Sequence, residues 1–346
     1  MNLKNIFASK NKLTIHDWYL PVQFFGVLLG IFLFIFYYPN TVSNKQGNVF
    51  EIPQGSSFAR VSSILYQEGI VPNKFNFRLA AFLYGAESKL RAGRYEIPSG
   101  LNYFELLDYL VKGGHDEQKL ITIPEGIWQN NLAKLLKEKL GVDSSSFMAL
   151  SNNRNFLDSL GIKSKTLEGY LLPETYYFYT NSNAREIINK LFIEMNGCFG
   201  EVVNKRLEEL KMSKNEILTL ASIIEAESNI AKEYKRISGV YHNRLKKWMR
   251  LEADPTIQYL KRYQKHNRIL YKDLEIDSPF NTYKNYGLPP APINNPGKDA
   301  IEAALFPEEN DYYYFVADGT GSHLFARTYK EHLKNVELYR EWRESQ

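Results

Sequence analysis

Hydrophobic positions along the chain fall into three regimes. From Leu20 to Tyr38 the run LPVQFFGVLLGIFLFIFYY carries no charge, and as a helix it would be about 28 Å long, close to the thickness of a bilayer's hydrocarbon core. Trp18 and Tyr19 mark one edge and Tyr37 and Tyr38 the other, where amphipathic rings favour the interface. This regime predicts one membrane span over residues 18–38, with a tail over 1–17 and a linker over 39–46. Lys4, Lys10 and Lys12 precede the run whereas only Lys45 follows closely, so the tail is expected inside the cell and the rest outside the cytoplasmic membrane. A cleaved signal peptide would need a small-residue cleavage site, and YYPNTVSN supplies none.

The second regime alternates short apolar runs with helical spacing. Ile52-Pro53-Gln54-Gly55, Ile97-Pro98-Ser99-Gly100 and Ile123-Pro124-Glu125-Gly126 share one pattern, a strand end entering a turn. Behind each stand apolar residues three or four apart, such as Phe58, Val61, Ile64 and Leu65, or Phe104, Leu107, Leu110 and Val111. The first two units, with a helix over Phe75–Tyr84 between them, predict a small α+β module over 47–118. From Lys119 the pattern shifts to longer helices joined by Pro-, Asn- and Tyr-rich loops, which predicts a larger mixed α+β domain over 119–346. Within it Ser213-Lys214-Asn215-Glu216 is a capping box opening the helix ILTLASIIEAES. A loop-rich stretch is expected over Asp254–Gly297, then a strand over Tyr312–Val316, a turn at Asp318–Gly321, a second strand through Phe325 and a polar terminal helix.

Composition changes this picture little. A net charge of +4 without a Lys/Arg block argues against a nucleic-acid partner. The single cysteine, Cys198, rules out an intramolecular disulfide. His323 and His332 stand near Asp318, but neither His-x-x-x-His nor His-Glu-x-x-His occurs, so no metal and no cofactor is expected. A nucleophile elbow and a phosphate-binding loop are likewise missing.

One carboxylate has an unusual place. Glu227 falls on the apolar stripe of Leu220, Ile223 and Ile224, where burial keeps an acid protonated and able to donate. Glu225 points elsewhere, beside Leu218, Ala221 and Ser222. Loops dense in Tyr, Asn, Asp and Thr suit the hydroxyls and flat faces of sugars, though 24 Tyr and 21 Phe would produce aromatic loops without any ligand.

At LEGYLLPETY, LASIIEAES, YHNRLKKWMRLEADPTIQY, SPFNTY, GLPPAPINNPG and YYFVADGTGSHLF the chain closely resembles the MltG (YceG-like) family of endolytic murein transglycosylases. The resemblance implies an anchor, a LysM-like module at 47–118, and a catalytic domain at 119–346 built on a lysozyme-like active-site helix. It implies Glu227 as the acid/base, with Ser228 helping to orient substrate or acid. It also implies substrate-binding or supporting roles for Glu168, Tyr170, Glu174, Asn243, Arg244, Asp254, Thr256, Asn281 and Tyr283. Phe280 stands where the family often has Tyr. The implied reaction splits the MurNAc–GlcNAc bond of peptidoglycan strands: Glu227 protonates the bridging oxygen, then takes the proton of the C6 hydroxyl as it closes a 1,6-anhydro ring. Peptidoglycan polymerases, the penicillin-binding proteins, are the implied protein partners at the membrane.

Overall fold

The computed structural model describes residues 15–39, 49–53, 55–112, 118–180, 182–264 and 268–345. Lys4, Lys10, Lys12, Lys45, nearly all of the expected tail and linker, and Gln54 lie outside them. The chain divides into two compact units, Met1–Gln118 and Lys119–Gln346.

The first unit begins with α1 (Ile15–Tyr37). Val22, Phe24, Phe25, Leu29 and Phe34 stand open on it, while Phe36 is buried, 6.2 Å from the ring of Tyr103 and 6.1 Å from that of Phe104. Among the described residues no helix is long and apolar enough to cross a membrane. In α1 the side chains of 15–18 and 20 lie outside the described residues, so the span expected over 18–38 is not described over its whole length. There follow β1 (Val49–Ile52), α2 (Phe58–Gln67), α3 (Lys74–Tyr84), β2 (Gly93–Glu96) and α4 (Tyr103–Lys112). β1 and β2 pair antiparallel, Ile52 opposite Gly93 and Val49 opposite Glu96. The helices close over the pair through Leu65, Phe77, Tyr95, Leu106 and Leu107, all fully buried.

Local chemistry explains these bounds. Ser57 and Asn73 cap α2 and α3 by accepting the N–H groups of Arg60 and Asn76. The two Ile-Pro-x-Gly turns end at Gly55 and Gly100 with φ of 76° and 83°, a left-handed conformation that glycine adopts without a Cβ clash.

In the second unit β3 (Gln118–Thr122) precedes α5 (Gln129–Leu140), α6 (Ser144–Ser151) and α7 (Arg154–Ser159), and pairs with β4 (Thr175–Tyr179). Then come α8 (Ala184–Gly197), α9 (Glu201–Leu210), α10 (Lys214–Glu227), α11 (Ala231–Lys246), α12 (Asp254–Leu260), a short 3-10 helix at Tyr271–Glu275, and α13 (Lys298–Leu305). The chain ends on the antiparallel hairpin β5 (Tyr314–Ala317) and β6 (His323–Ala326), then α14 (Tyr329–Glu344). α10 is the axis of this unit. Every residue from Ile217 to Ile224 is buried, as expected for a helix enclosed on all sides, with α11, α12 and α13 against it.

The loop-rich stretch from Asp254 opens on a short helix: Pro255 occupies the first turn of α12, where a missing N–H costs nothing and its fixed φ suits a helix. One expectation needs correction. The first strand of the hairpin starts at Tyr314 rather than Tyr312. The carbonyls of Tyr312 and Tyr313 instead accept from Asn243 Nδ2 at 3.1 Å and Arg244 Nε at 2.6 Å.

Candidate active site

The capping box at Ser213 and Glu216 closes the start of α10, each side chain binding the other's backbone N–H. This fixes the register of a helix whose last residue is Glu227; Ser228 turns to extended backbone at φ −142° and ψ 146°. Glu227 therefore projects from the end of a buried rod into a cleft of about 420 Å³. α11 supplies Tyr241 and Arg244 to the same cleft, α12 Asp254, the loop before α13 Tyr283, and the hairpin Phe315 and His323.

Tyr241 is fully buried and donates its hydroxyl to Glu227 Oε1 at 2.5 Å. Its ring meets that of Phe315 edge-on, centroids 5.9 Å apart. Glu227 is half-buried, and its acid is pushed up to about 7: burial raises it most, the Tyr241 hydrogen bond lowers it, Asp254 raises it and Arg244 lowers it. A carboxyl so placed keeps its proton near neutral pH. Across the cleft Tyr283 donates to Asp254 Oδ1 at 2.6 Å. Arg244, 7% exposed, is a strut: Nη1 reaches the carbonyls of Arg250 and Leu251, each at 3.0 Å, and Glu252 Oε2 at 3.1 Å. Together with its bond to Tyr313, this ties two walls of the cleft to α11.

The cleft thus gathers Glu227, Arg244, Asp254 and Tyr283 from the residues expected to form the site. Others stand elsewhere, as supports. Thr256 and Asn281 are fully buried, Thr256 bonded to Ala253 O at 2.7 Å and Asn281 to Leu274 O and Ile276 O at 2.8 Å each. Asn243 holds Asn310 and Tyr312. Glu168 accepts from Gln129 N at 2.9 Å and Asn295 Nδ2 at 3.3 Å in a buried joint, where burial pushes its acid up to about 8. Tyr170 donates to Asn215 Oδ1 at 2.8 Å, and Glu174 pairs with Lys298 at 3.0 Å on the surface. Glu225 accepts from Tyr234 and from Gly297 N, away from the cleft. Phe280 packs on Tyr259, rings 5.2 Å apart.

Ser228, next to Glu227, is 6% exposed. Extended backbone turns its hydroxyl toward the start of α11, where it accepts Ile230 N–H at 3.0 Å and lies 3.4 Å from Glu233. Glu233 also accepts from His323 Nδ1 at 2.7 Å, from His323 N at 3.1 Å and from the Ser322 hydroxyl. Burial opposes the charge on Glu233, yet these donors hold its acid below the usual range. Sequence reasoning passed over Tyr241 and Glu233. Tyr241 was detectable, since it lies three residues before Arg244 on one helix face; Glu233 had no signal, because its partner is 90 residues away.

The loop between α11 and α12 has two residues in the left-handed region, Trp248 at φ 51° and Glu252 at φ 49°. Trp248 is 71% exposed and stacks on Tyr286, centroids 5.9 Å apart and planes 2° from parallel, while Glu252 lines the cleft. Among the described residues no group of His, Cys, Asp or Glu is placed to hold a metal ion.

Comparison with known proteins agrees with this architecture. The family model described as the YceG-like family matches residues 50–338. An endolytic murein transglycosylase of Bacillus subtilis is 35% identical over 303 residues, 83% of each chain. One of Streptococcus pneumoniae is 30% identical over 328 residues, covering 86% of this chain and 59% of that longer protein. Among solved structures, the crystal structure of a YceG-like protein of Listeria monocytogenes is 34% identical, covers 84% of this chain and 99% of its own, and superposes with a TM-score of 0.57. A match over most of the sequence, with the site's elements inside it, makes this chain a member of the YceG-like family.

Proposed function

We propose that the protein is an endolytic lytic transglycosylase that cuts the MurNAc–GlcNAc bond of nascent peptidoglycan strands and leaves 1,6-anhydro-MurNAc ends, limiting strand elongation. The observation that carries this reading is the carboxyl of Glu227, held protonated to about pH 7 at the edge of a cleft and bonded on one oxygen by Tyr241. The relatives named endolytic murein transglycosylases support the reaction class.

Glu227 gives its proton to the bridging oxygen as that bond breaks. Such positioned proton transfer contributes roughly 100- to 10,000-fold to rate. The substrate's own N-acetyl group stabilises the cationic centre, so a second protein carboxylate is not required as nucleophile. Its C6 hydroxyl attacks the anomeric carbon, passes its proton to the Glu227 carboxylate, now a base, and closes the anhydro ring without consuming water. Arg244, Asp254 and Tyr283 contact the glycan. Ser228, Glu168, Tyr170, Glu174, Asn243, Thr256 and Asn281 act behind them as supports.

In the same reading, residues 1–17 are a cytoplasmic tail and 18–38 a single-pass anchor in the cytoplasmic membrane. Residues 39–46 are a linker, 47–118 a LysM-like module that grips glycan, and 119–346 an extracytoplasmic catalytic domain. The anchor rests on the uncharged run Leu20–Tyr38 and the open apolar side chains of α1. The module rests on the strand–helix–helix–strand order of β1, α2, α3 and β2. A place beside penicillin-binding polymerases follows from sharing that membrane surface.

Digestion of purified sacculi by wild type and by Glu227→Gln, with mass spectrometry of the released ends, tests the reaction. Anhydro ends from wild type and almost none from the variant are expected. Reducing ends would make the enzyme a hydrolase, and undiminished release by the variant would remove Glu227 from the chemistry.

A further inference from the structure

We infer that the open apolar face of α3 lies on the membrane surface, seated among phosphate-bearing lipid headgroups beside the point where α1 leaves the bilayer. The inference rests on reading α1 as the membrane anchor, and it gives the module at 47–118 a second, non-spanning contact with the same bilayer.

α3 is apolar on two sides. Phe77, Ala80 and Ala81 are fully buried in the core of the module. At 3.6 residues per turn, Phe75, Leu79, Phe82 and Leu83 fall within an arc of about 100° on the other side. All four are open, Phe75 to 73% and Phe82 to 67%. Water is a poor cover for so many large apolar side chains in one patch, and such patches mark contacts with a partner or a membrane. The sequence of α3 holds no acidic residue, whereas Lys74 and Arg78 flank the arc along one edge.

What covers this face follows from α1, which touches both α3 and α4. A row of rings joins the two helix ends: Tyr37 of α1 lies 5.2 Å from Phe104, and Phe104 lies 6.3 Å from Tyr84, the last residue of α3. A bilayer around the open apolar side chains of α1 therefore meets the module at the end of α3 where Phe82 and Leu83 stand open. With 11 residues α3 is about 16 Å long and cannot span. It lies instead in the interface plane, as do helices with Phe and Leu on one face and Lys or Arg at its border.

Charge selects lipid over other occupants. Lys74, Phe75, Arg78 and Leu79 border an open groove of about 540 Å³. Arg78 is exposed and has neither an ion pair nor a hydrogen bond among the described residues. Its stem can follow the apolar face while the guanidinium takes a lipid phosphate by two parallel hydrogen bonds. A glycan would bring hydroxyls to four side chains that offer no polar partner. A second copy meeting α3 about a two-fold axis would set Lys74 and Arg78 against their own equivalents, a juxtaposition of like charges.

The test uses the full chain carrying Cys198→Ala, reconstituted into vesicles of equal parts phosphatidylcholine and phosphatidylglycerol. A nitroxide is attached to a single cysteine in Phe75→Cys, Leu79→Cys, Phe82→Cys or Leu83→Cys, all at open positions, and in Glu51→Cys, at the exposed neighbour of buried Ile52 on β1. Collision of the label with oxygen, which dissolves among acyl chains, is compared with collision with a water-soluble nickel chelate. The α3 labels are expected to read a depth of roughly 5–10 Å below the headgroups, and the Glu51 label to read water. Arg78→Glu in the Phe82→Cys chain is expected to make that label shallower, and an unmoved depth would overturn the phosphate contact. Labels on α3 as open to nickel as the one at position 51 overturn the inference. So does shielding accompanied by spin–spin broadening that disappears on dilution with unlabelled chain, which would put a second copy on this face. Should one labelled chain fail to fold, the other three positions carry the same reading. A carbonate wash separates the failures: if the full chain is stripped from the vesicles, the anchor reading falls and this inference with it, and if it stays while the α3 labels read water, only the contact of α3 is lost.

Discussion

Glu227 is costly to ionise because it stands at the end of a buried helix with Asp254 nearby. In the unfolded chain such an acid titrates near the ordinary glutamate value, in the fold at about 7. Between those limits the folded state holds a proton that the unfolded state has released, so rising pH erodes stability. Glu227→Gln removes this slope. Urea unfolding should show the variant gaining on wild type from pH 5 to pH 8 by at most about 3 kcal/mol; a constant difference would mean that the acid is ordinary. The acid must also be protonated to work, so activity should fall as pH rises through about 7. Tyr241→Phe deletes the hydrogen bond that favours the charged form, and its alkaline limb should move to higher pH. A limb that stayed put or moved down would show that the hydroxyl does not tune Glu227.

At the scale of elements, stability rests on local devices. Ser213→Ala removes half of the cap that starts α10 and should cost about 1 kcal/mol, seen as a lower Tm with turnover unchanged below it. Gly239 has a different duty. It is buried in α11, and a Cβ there would collide with Glu308 O and Asn310 Nδ2. Because Asn243 clamps Asn310 and Tyr312, Gly239→Ala should push this strap outward, disturb β5 and depress activity along with stability. If the variant kept full turnover, the strap would not govern the cleft. The same contrast explains what could be read in advance. The capping box, the Ile-Pro-x-Gly turns and the helix at α3 were legible because each is decided by residues within a turn or two. Which polar residues face the cleft was not, since Asn243, Thr256 and Asn281 spend their hydrogen bonds on carbonyls that only the folded chain brings near. Glu227 was legible for the opposite reason: its helix places it on an apolar stripe whatever packs there.

At the scale of the molecule, the proposed anchor and catalytic domain make separable demands. Removing residues 1–39 should release the protein from carbonate-washed membranes while sparing the anhydro-forming activity on sacculi; continued sedimentation with membranes would place the anchoring surface elsewhere. Trp248 gives the whole chain a useful optical property. The chain has four tryptophans, and this one is held in a left-handed backbone, largely open to water and flat against Tyr286. It shares a short loop with Glu252, which borders the cleft. With the other three tryptophans replaced by Phe, its emission should report on that loop: a sugar chain entering beside Glu252 that shifts the loop changes the environment of the indole, so occupancy can be followed by fluorescence without attaching a dye.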